Sequence, residues 1–178
     1  MSTPSLAQQN ATIEALLERE QYAEALPPAK DALFREITEG PTHDICTAYF
    51  NLALAYQRTG EHQLAEACYK QVLKLEAALL GIEHANYSDT LDHLANLYLE
   101  MGRYADAEEK LRRIQTRDSF DAMRIYALLG IALHKQGKKK EADEAFRRSD
   151  RSAGYVGLPC SLLRHHTRGA GWPPARFA

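Results

Sequence analysis

The chain has 178 residues, which is enough for one ordinary domain or a short array of repeats. Its formal net charge of −2 does not favour a nucleic-acid-binding protein or a membrane-surface protein. The overall balance conceals an asymmetry, because residues 147–178 contain six arginines and one acidic residue. This segment therefore carries +5 and the first 146 residues carry −7, so an acidic body is followed by a basic segment.

The beginning of the chain, MSTPSLAQQNATIEALL, has neither basic residues nor an apolar run, so we expect no secretory signal there. No stretch of the sequence approaches the roughly 20 apolar residues that a membrane span needs. The three cysteines, Cys46, Cys68 and Cys160, are widely spaced and form no CxxC pair. Reduced thiols and a cytoplasmic location are therefore expected.

Four related segments follow one another along the chain. Residues 48–75 match residues 90–117 at a shift of 42, and a further copy matches at a shift of 35. In these three copies Leu52, Leu94 and Leu129 occupy one position, and a glycine eight residues later occupies another. A weaker copy precedes them, in which Glu20 stands at the glycine position. The predicted copies lie near 9–38, 46–79, 88–117 and 123–152.

Each copy predicts two helices joined by a short turn. In the second copy apolar residues recur at spacings of three and four, which is typical of one buried face of a helix. Gly60 is expected to end that helix, because glycine readily adopts the left-handed conformation found at helix ends. Thr42 and Asp44 are predicted to cap its beginning. Small residues such as Ala95 and Ala107 are expected where the two helices of a copy approach closely.

These repeats resemble the tetratricopeptide repeat, a helix–turn–helix unit. The long period and the GxxH sequence before two of the copies, Gly40 to His43 and Gly81 to His84, are similar to the kinesin light chain variety. The resemblance implies an all-α, right-handed superhelical solenoid of about four helix–turn–helix repeats. We expect this repeat domain to span 1–152. A basic tail containing Gly, Pro and Arg, 153–178, would then be disordered or would cover the last repeat.

The resemblance also implies that the first helix of each repeat lines a concave groove, in which members of the family bind extended or helical peptides. Phe50 and Leu54 are apolar residues on the predicted groove face, although they would instead be core if they pack against a neighbouring helix. The predicted partner-binding residues are Phe50, Asn51, Leu54, Arg58, Asp89, Asp92, His93, Asn96, Ile131 and Lys135.

The sequence offers little that is typical of catalysis or metal binding. His165 and His166 near Cys160 form one cluster of possible ligands, but their spacing fits no zinc pattern. Apart from His93 in the predicted groove, the other histidines are expected in turns or in solvent, with His84 in a turn or capping role. No catalytic, cofactor or metal site is predicted, and the chain is not expected to be an enzyme. A solvent-exposed helix surface is expected for most carboxylates, including Glu61, Glu66, Glu108 and Glu109.

A protein–protein interaction scaffold or adaptor is the function that this pattern favours. Because the third copy is acidic, the preferred partner segment would combine basic and apolar residues. Two alternatives stay open at this stage. The chain could associate with itself, with the basic tail of one copy on the acidic body of another, or it could bind nucleic acid through the arginines of the tail.

Overall fold

The computed structural model describes residues 4–34, 42–116 and 118–156. Within these residues, all of the regular secondary structure is α-helical. The helices are α1 (Leu6–Glu18), α2 (Tyr22–Phe34), α3 (His43–Arg58), α4 (His62–Leu79), α5 (Ala85–Glu100), α6 (Tyr104–Arg113), α7 (Ser119–Lys135) and α8 (Lys139–Val156).

Consecutive helices pair into hairpins, and the hairpins belong to two compact units. The first unit, residues 1–115, contains the hairpins α1–α2, α3–α4 and α5–α6. Within it α2 packs against α3 and α4 packs against α5, while α1 also contacts α3. The second unit, which begins at residue 116, contains the hairpin α7–α8. The predicted all-α fold of about four helical hairpins is thus confirmed.

The turns inside the hairpins share one backbone conformation. Gly60, Gly102 and Gly137 have φ angles of 84°, 71° and 79°, which is the left-handed region that favours glycine. In the first hairpin the same position is occupied by Glu20, with a φ angle of 59°. The first copy therefore has the same turn geometry although it lacks the glycine.

Three helices begin with a side-chain cap, and the sequence predicted the caps of α3 and α5. The Thr42 hydroxyl accepts a hydrogen bond from the backbone N–H of Ile45, as expected for the cap of α3. The Nδ1 atom of His84 accepts one from the N–H of Asn86 at the start of α5. Ser5 and Gln8 form a reciprocal capping box on α1. The predicted role of His84 in a cap is therefore confirmed.

Small residues lie where the helices of a hairpin approach each other. Ala95 and Ala107 are fully buried, as the sequence predicted. In the second unit, a β-carbon added at Gly130 would lie only 2.6 Å from the ring of Phe146. The Phe146 ring therefore occupies the space that any larger residue at position 130 would need.

The helix α8 continues to Val156, four residues past the predicted boundary of the repeat domain. The rest of the predicted tail, 157–178, lies outside the described residues, and so does Gly40. Disorder or capping by the tail stays a prediction.

Candidate functional site

Two rows of side chains run beside each other along α3 and α5. The ring of Phe50 meets the imidazole of His93 edge-on, with ring centroids 4.8 Å apart. Seven residues further along each helix, the Gln57 side chain donates a hydrogen bond to Glu100 over 2.9 Å. These two contacts fix the register of the helices, with Leu54 and Asn96 between them. We call this surface the α3–α5 strip, and its members are Phe50, Leu54, Gln57, His93, Asn96 and Glu100.

Tyr69 of α4 lies beneath the strip and holds it in place. Its side chain is fully buried, and its ring centroid lies 5.8 Å from that of Phe50 and 6.0 Å from that of His93. The Tyr69 hydroxyl donates to the side-chain oxygen of Gln57 over 3.0 Å. Burial raises the pKa of this phenol above its usual value, and the charge of Glu100 raises it further. Phe50 is therefore half-buried against Tyr69 while it remains part of the strip.

Asp92 and Asn96 form a hydrogen-bonded pair on α5. The Asn96 amide donates to the backbone carbonyl of Asp92 over 2.9 Å and to its carboxylate over 3.3 Å. Asp92 is only 9% exposed, whereas Asn96 is half-buried. Asp92 thus contributes mainly its charge to this surface, and Asn96 contributes accessible polar atoms.

A buried carboxyl group lies beside this region, between α4 and α5. Glu76 is 4% exposed, and its Oε2 atom has no hydrogen-bond partner. Burial raises the pKa of Glu76 to about 7; a hydrogen bond from Thr90 acts in the opposite direction, and the charge of Asp89 raises it. Asp89 itself is half-buried and lies one turn before His93 on α5.

Asn51 and Arg58 are directed toward the first hairpin. The Asn51 side chain, 4% exposed, donates to the carboxylate of Glu14 on α1 over 3.5 Å. The exposed Arg58 guanidinium lies 5.9 Å from the centre of the Tyr22 ring on α2. Asn51 therefore offers little surface to a partner, while Arg58 remains accessible.

The ten predicted partner-binding residues do not all belong to one unit. Eight of them lie on α3 and α5 in the first unit. Ile131 and Lys135 lie on α7 in the second unit, where Ile131 is half-buried and Lys135 is exposed. The binding role of all ten stays a prediction.

Gln57 and Tyr69, which connect the strip, are not among the residues predicted from the sequence. Gln57 follows Phe50 by seven residues, so the helical period places both on one face of α3. This spacing in the sequence could therefore have indicated that Gln57 belongs to the same surface as Phe50. The contact of Tyr69 with Phe50 and His93 depends on how α4 packs against both neighbouring helices, so no spacing in the sequence indicates it.

In the first unit, the two sets of helices differ in net charge, because basic residues are nearly absent from the first helices of the hairpins. In the first unit, α1, α3 and α5 together contain six acidic residues and one basic residue, Arg58. The second helices, α2, α4 and α6, contain seven acidic and six basic residues. The negative charge of this unit is thus carried mainly by the helices that include the α3–α5 strip.

Two of the four carboxylates expected in solvent are not exposed. The side chain of Glu66 is only 14% exposed, and it accepts hydrogen bonds from Tyr98 over 2.9 Å and from Arg103 over 2.6 Å. That expectation was wrong because this face of α4 packs toward the third hairpin. Glu108, 12% exposed, is paired with Arg112. Glu61 and Glu109 are exposed as predicted.

No cluster of three potential metal ligands occurs in the described part of the chain. The pair His165 and His166, with Cys160, lies outside those residues. Among the helices α1 to α8, none has the length and apolar character that crossing a membrane requires.

Successive helical hairpins, each with one residue of positive φ angle in its turn, define a helical-repeat protein. Two sequence models of the tetratricopeptide repeat match residues 44–117 and 94–155, so together they span well over half of the chain. The chain belongs to the tetratricopeptide repeat family, and its repeats are of the kinesin light chain-like variety.

Known proteins similar to this chain include one curated relative and several solved structures. Protein KINESIN LIGHT CHAIN-RELATED 1 of Arabidopsis thaliana is 26% identical over 96 residues, which are 52% of this chain and 16% of that protein. The chain thus matches only about a sixth of that relative. The structure of BtubC (BKLC) from P. vanneervenii superposes with a TM-score of 0.76 at 18% identity, covering 97% of this chain and 68% of that one. MamA gives 0.71 at 18% identity, covering 86% and 81%. At these identities the two structures show the shared fold.

Proposed function

We propose that this chain is a non-enzymatic protein–protein interaction scaffold that binds a peptide segment of its partner along the first helices of its hairpins. Membership of the tetratricopeptide repeat family supports the general role. The observation that carries the choice of surface is the charge difference between the two sets of helices in the first unit. Six acidic residues against one basic residue on α1, α3 and α5 make this side attractive to a cationic segment.

Apolar side chains on the same helices supply the second part of the proposed recognition. Phe50 and Leu54 are half-buried, so each keeps some surface that a partner can cover. Truncating a well-packed anchor at an interface commonly costs about 2 kcal/mol or more, whereas charges at the rim mainly affect association rate and salt dependence. A partner segment that combines basic and apolar residues therefore fits best. We propose that the chain works in the cytoplasm, a reducing compartment, because its three cysteines are widely spaced and Cys46 and Cys68 are both buried.

A selection from a display library of random short peptides tests this function on the full chain. Selected peptides should be enriched in Lys or Arg together with apolar residues. Their binding should weaken at least tenfold in Asp89→Lys, which reverses a charge beside the strip. Binding should be unchanged in Lys74→Glu, which reverses the charge of an exposed residue on α4. Peptides that bind both variants like the original chain would contradict the proposed surface.

Self-association is a second candidate, because the charge asymmetry of the sequence also favours it. The segment 157–178 contains three arginines and no acidic residue, and it could dock on the acidic helices of another copy. Such oligomers would dissociate at high salt, because screening weakens contacts between exposed charges. Size-exclusion chromatography at low and high salt distinguishes this case from a monomeric scaffold, whose elution volume would not change.

The nucleic-acid alternative receives less support from α8. Arg147, Arg148 and Arg151 all lie within 3.4 Å of the carboxylate of Glu144. These three positive charges are therefore partly neutralised within their own helix, which reduces the basic surface available to phosphates.

A further inference from the structure

The α3–α5 strip offers both an aromatic surface and a carboxylate along one line. Phe50 and His93 lie at one end, and Glu100 lies at the other, where it accepts a hydrogen bond from Gln57. Leu54 lies between them on α3. A neutral amide orients the Glu100 carboxylate without cancelling its charge, so the electrostatic attraction for a cation is preserved. Asp92, held by Asn96, adds a second negative charge close to the line.

The chain already contains an arginine in such surroundings. The guanidinium of Arg103 lies 4.4 Å from the centre of the Tyr98 ring. It also pairs with Glu66 and with Asp106, in both cases over 2.6 Å. One arginine thus combines an aromatic face with carboxylates, which suits a planar cation that stacks on rings and donates several hydrogen bonds. In the second unit Arg148 lies 5.6 Å from the centre of the Tyr126 ring and also pairs with Glu144.

We propose that the strip anchors an arginine side chain of the partner. Its aliphatic stem lies over Leu54, on the side of Glu100 that faces Phe50, and its guanidinium binds the carboxylate of Glu100 in the field of Asp92. Long cationic side chains commonly bury their stems on apolar surface while the charged end reaches a polar group. The inference rests on the proposed peptide-binding function and deepens it, because it names the side chain that is recognised and the residue that recognises it.

An arginine fits this strip better than the two other obvious anchors. A carboxylate or phosphate would meet the negative charges of Glu100 and Asp92, which disfavour an anion at this place. A purely apolar side chain would cover Leu54 and Phe50, but it would take Glu100 partly out of water without offering a hydrogen bond, and that carries a desolvation cost. A lysine satisfies the charge, but its ammonium lacks the planar fork of donors that matches a carboxylate such as Glu100 in two hydrogen bonds.

The test uses the full chain and two display libraries of random short peptides, one with all residue types and one without Lys and Arg. The first library should yield binders that carry an arginine, and the second should yield few or none. The strongest peptide is then made with its arginine replaced by citrulline, which keeps the shape and removes the charge. In the original chain this replacement should weaken binding about tenfold or more.

The variant Glu100→Gln identifies the recognising residue, because glutamine can keep the contact with Gln57 but carries no charge. In this variant the citrulline replacement should have less than a threefold effect. Glu109→Gln, an exposed glutamate on α6, is the matched control and should behave like the original chain.

The outcomes separate this inference from the proposed function. An equal citrulline effect in the original chain and in Glu100→Gln would overturn the arginine site. If Leu54→Asp still abolishes peptide binding in that case, the groove function survives. Peptides that Leu54→Asp does not affect would overturn both, provided that circular dichroism shows the variant to be folded.

Discussion

Arg103, at the turn between α5 and α6, donates a hydrogen bond over 2.6 Å to Glu66 on α4. The contact ties the second hairpin to the third, and Tyr98 of α5 reinforces it by donating to the other oxygen of Glu66. Burial acts to raise the pKa of Glu66, but hydrogen bonds from Lys70 and Tyr98, with the charges of Lys70 and Arg103, hold it below its usual value. Interactions between hairpins, which a single repeat does not reveal, therefore stabilise the stack.

Replacing Glu66 by Gln should destabilise the first unit by about 1 kcal/mol at neutral pH, because it removes the charge but keeps the shape. The expected loss of stability is modest because the Arg103 side chain is 38% exposed, so water screens its attraction to Glu66. A lowered pKa means that the stabilisation is present above the pKa of the unfolded state and is lost as the pH falls through the folded-state pKa. Urea unfolding at neutral and acidic pH measures both effects. If Glu66→Gln loses no more stability than Glu109→Gln, which removes the charge of an exposed ion pair, then the Glu66 contact does not stabilise the stack.

Glu20 occupies a left-handed turn position where the three other hairpins have glycine. A side chain in this conformation costs about 1–2 kcal/mol relative to glycine. Glu20→Gly should therefore stabilise the chain by about 1 kcal/mol, less than the full cost because glycine also gains freedom in the unfolded state. The reciprocal change Gly60→Ala should destabilise it by a similar amount, since no atom lies close enough to obstruct the added carbon. Thermal melts with the same sign for both changes would show that backbone strain is not the cause.

Ala95 and Ala107 mark the close approach within the third hairpin, and both are fully buried. Leucine at either position should destabilise the chain by about 1–3 kcal/mol, because an overpacked contact forces neighbouring side chains or helices apart. Ala67→Leu is the matched control, since Ala67 is exposed on α4. Thermal unfolding of the three variants tests this. Equal midpoints of thermal unfolding for the three variants would mean that α5 and α6 do not cross at Ala95 and Ala107.

Glu76 should make the stability of the chain depend on pH near neutrality. Its pKa is raised to about 7 from the ordinary 4.5, so the folded state binds the proton more tightly than the unfolded state. Stability is then greatest below about pH 4.5 as far as this group is concerned, and it falls as the pH rises through 7. Glu76→Gln should remove this decline, so that the variant is more stable than the original chain at pH 8 and similar at pH 5. Parallel pH profiles of the two proteins would refute the effect.

The hairpins could be predicted from the sequence, but the contacts between them could not. Fixed positions such as Gly60 and Thr42 act locally, on a single turn or helix end, so a pattern of residue types predicts them. Glu66 has the sequence features of an exposed helical residue, and its burial arises only because Tyr98 and Arg103 of the next hairpin approach it. The same reason explains why the sequence selected Phe50 but could not show that Tyr69 packs beneath it.

For the partner-binding residues, the sequence likewise predicted the helix on which each residue lies but not how deeply it is buried. The resemblance to the tetratricopeptide repeat placed eight of the ten residues on α3 and α5, and the helical period indicates which of them share a face. The period does not state how deeply a side chain lies between two helices. Asn51 and Asp92 are therefore on the helices that the sequence named but are largely covered, at 4% and 9% exposure.

The central claim is that a partner's peptide binds along the α3–α5 strip. Backbone amide resonances of the full chain, followed while a library-selected peptide is added, test it most directly. We expect the largest shifts at the amides of Phe50, Leu54 and Asn96, and little change at the amides around Ala67 and Lys74 on α4. Shifts concentrated on α4 and α6, with the strip unchanged, would place the binding surface on the second helices and contradict the claim.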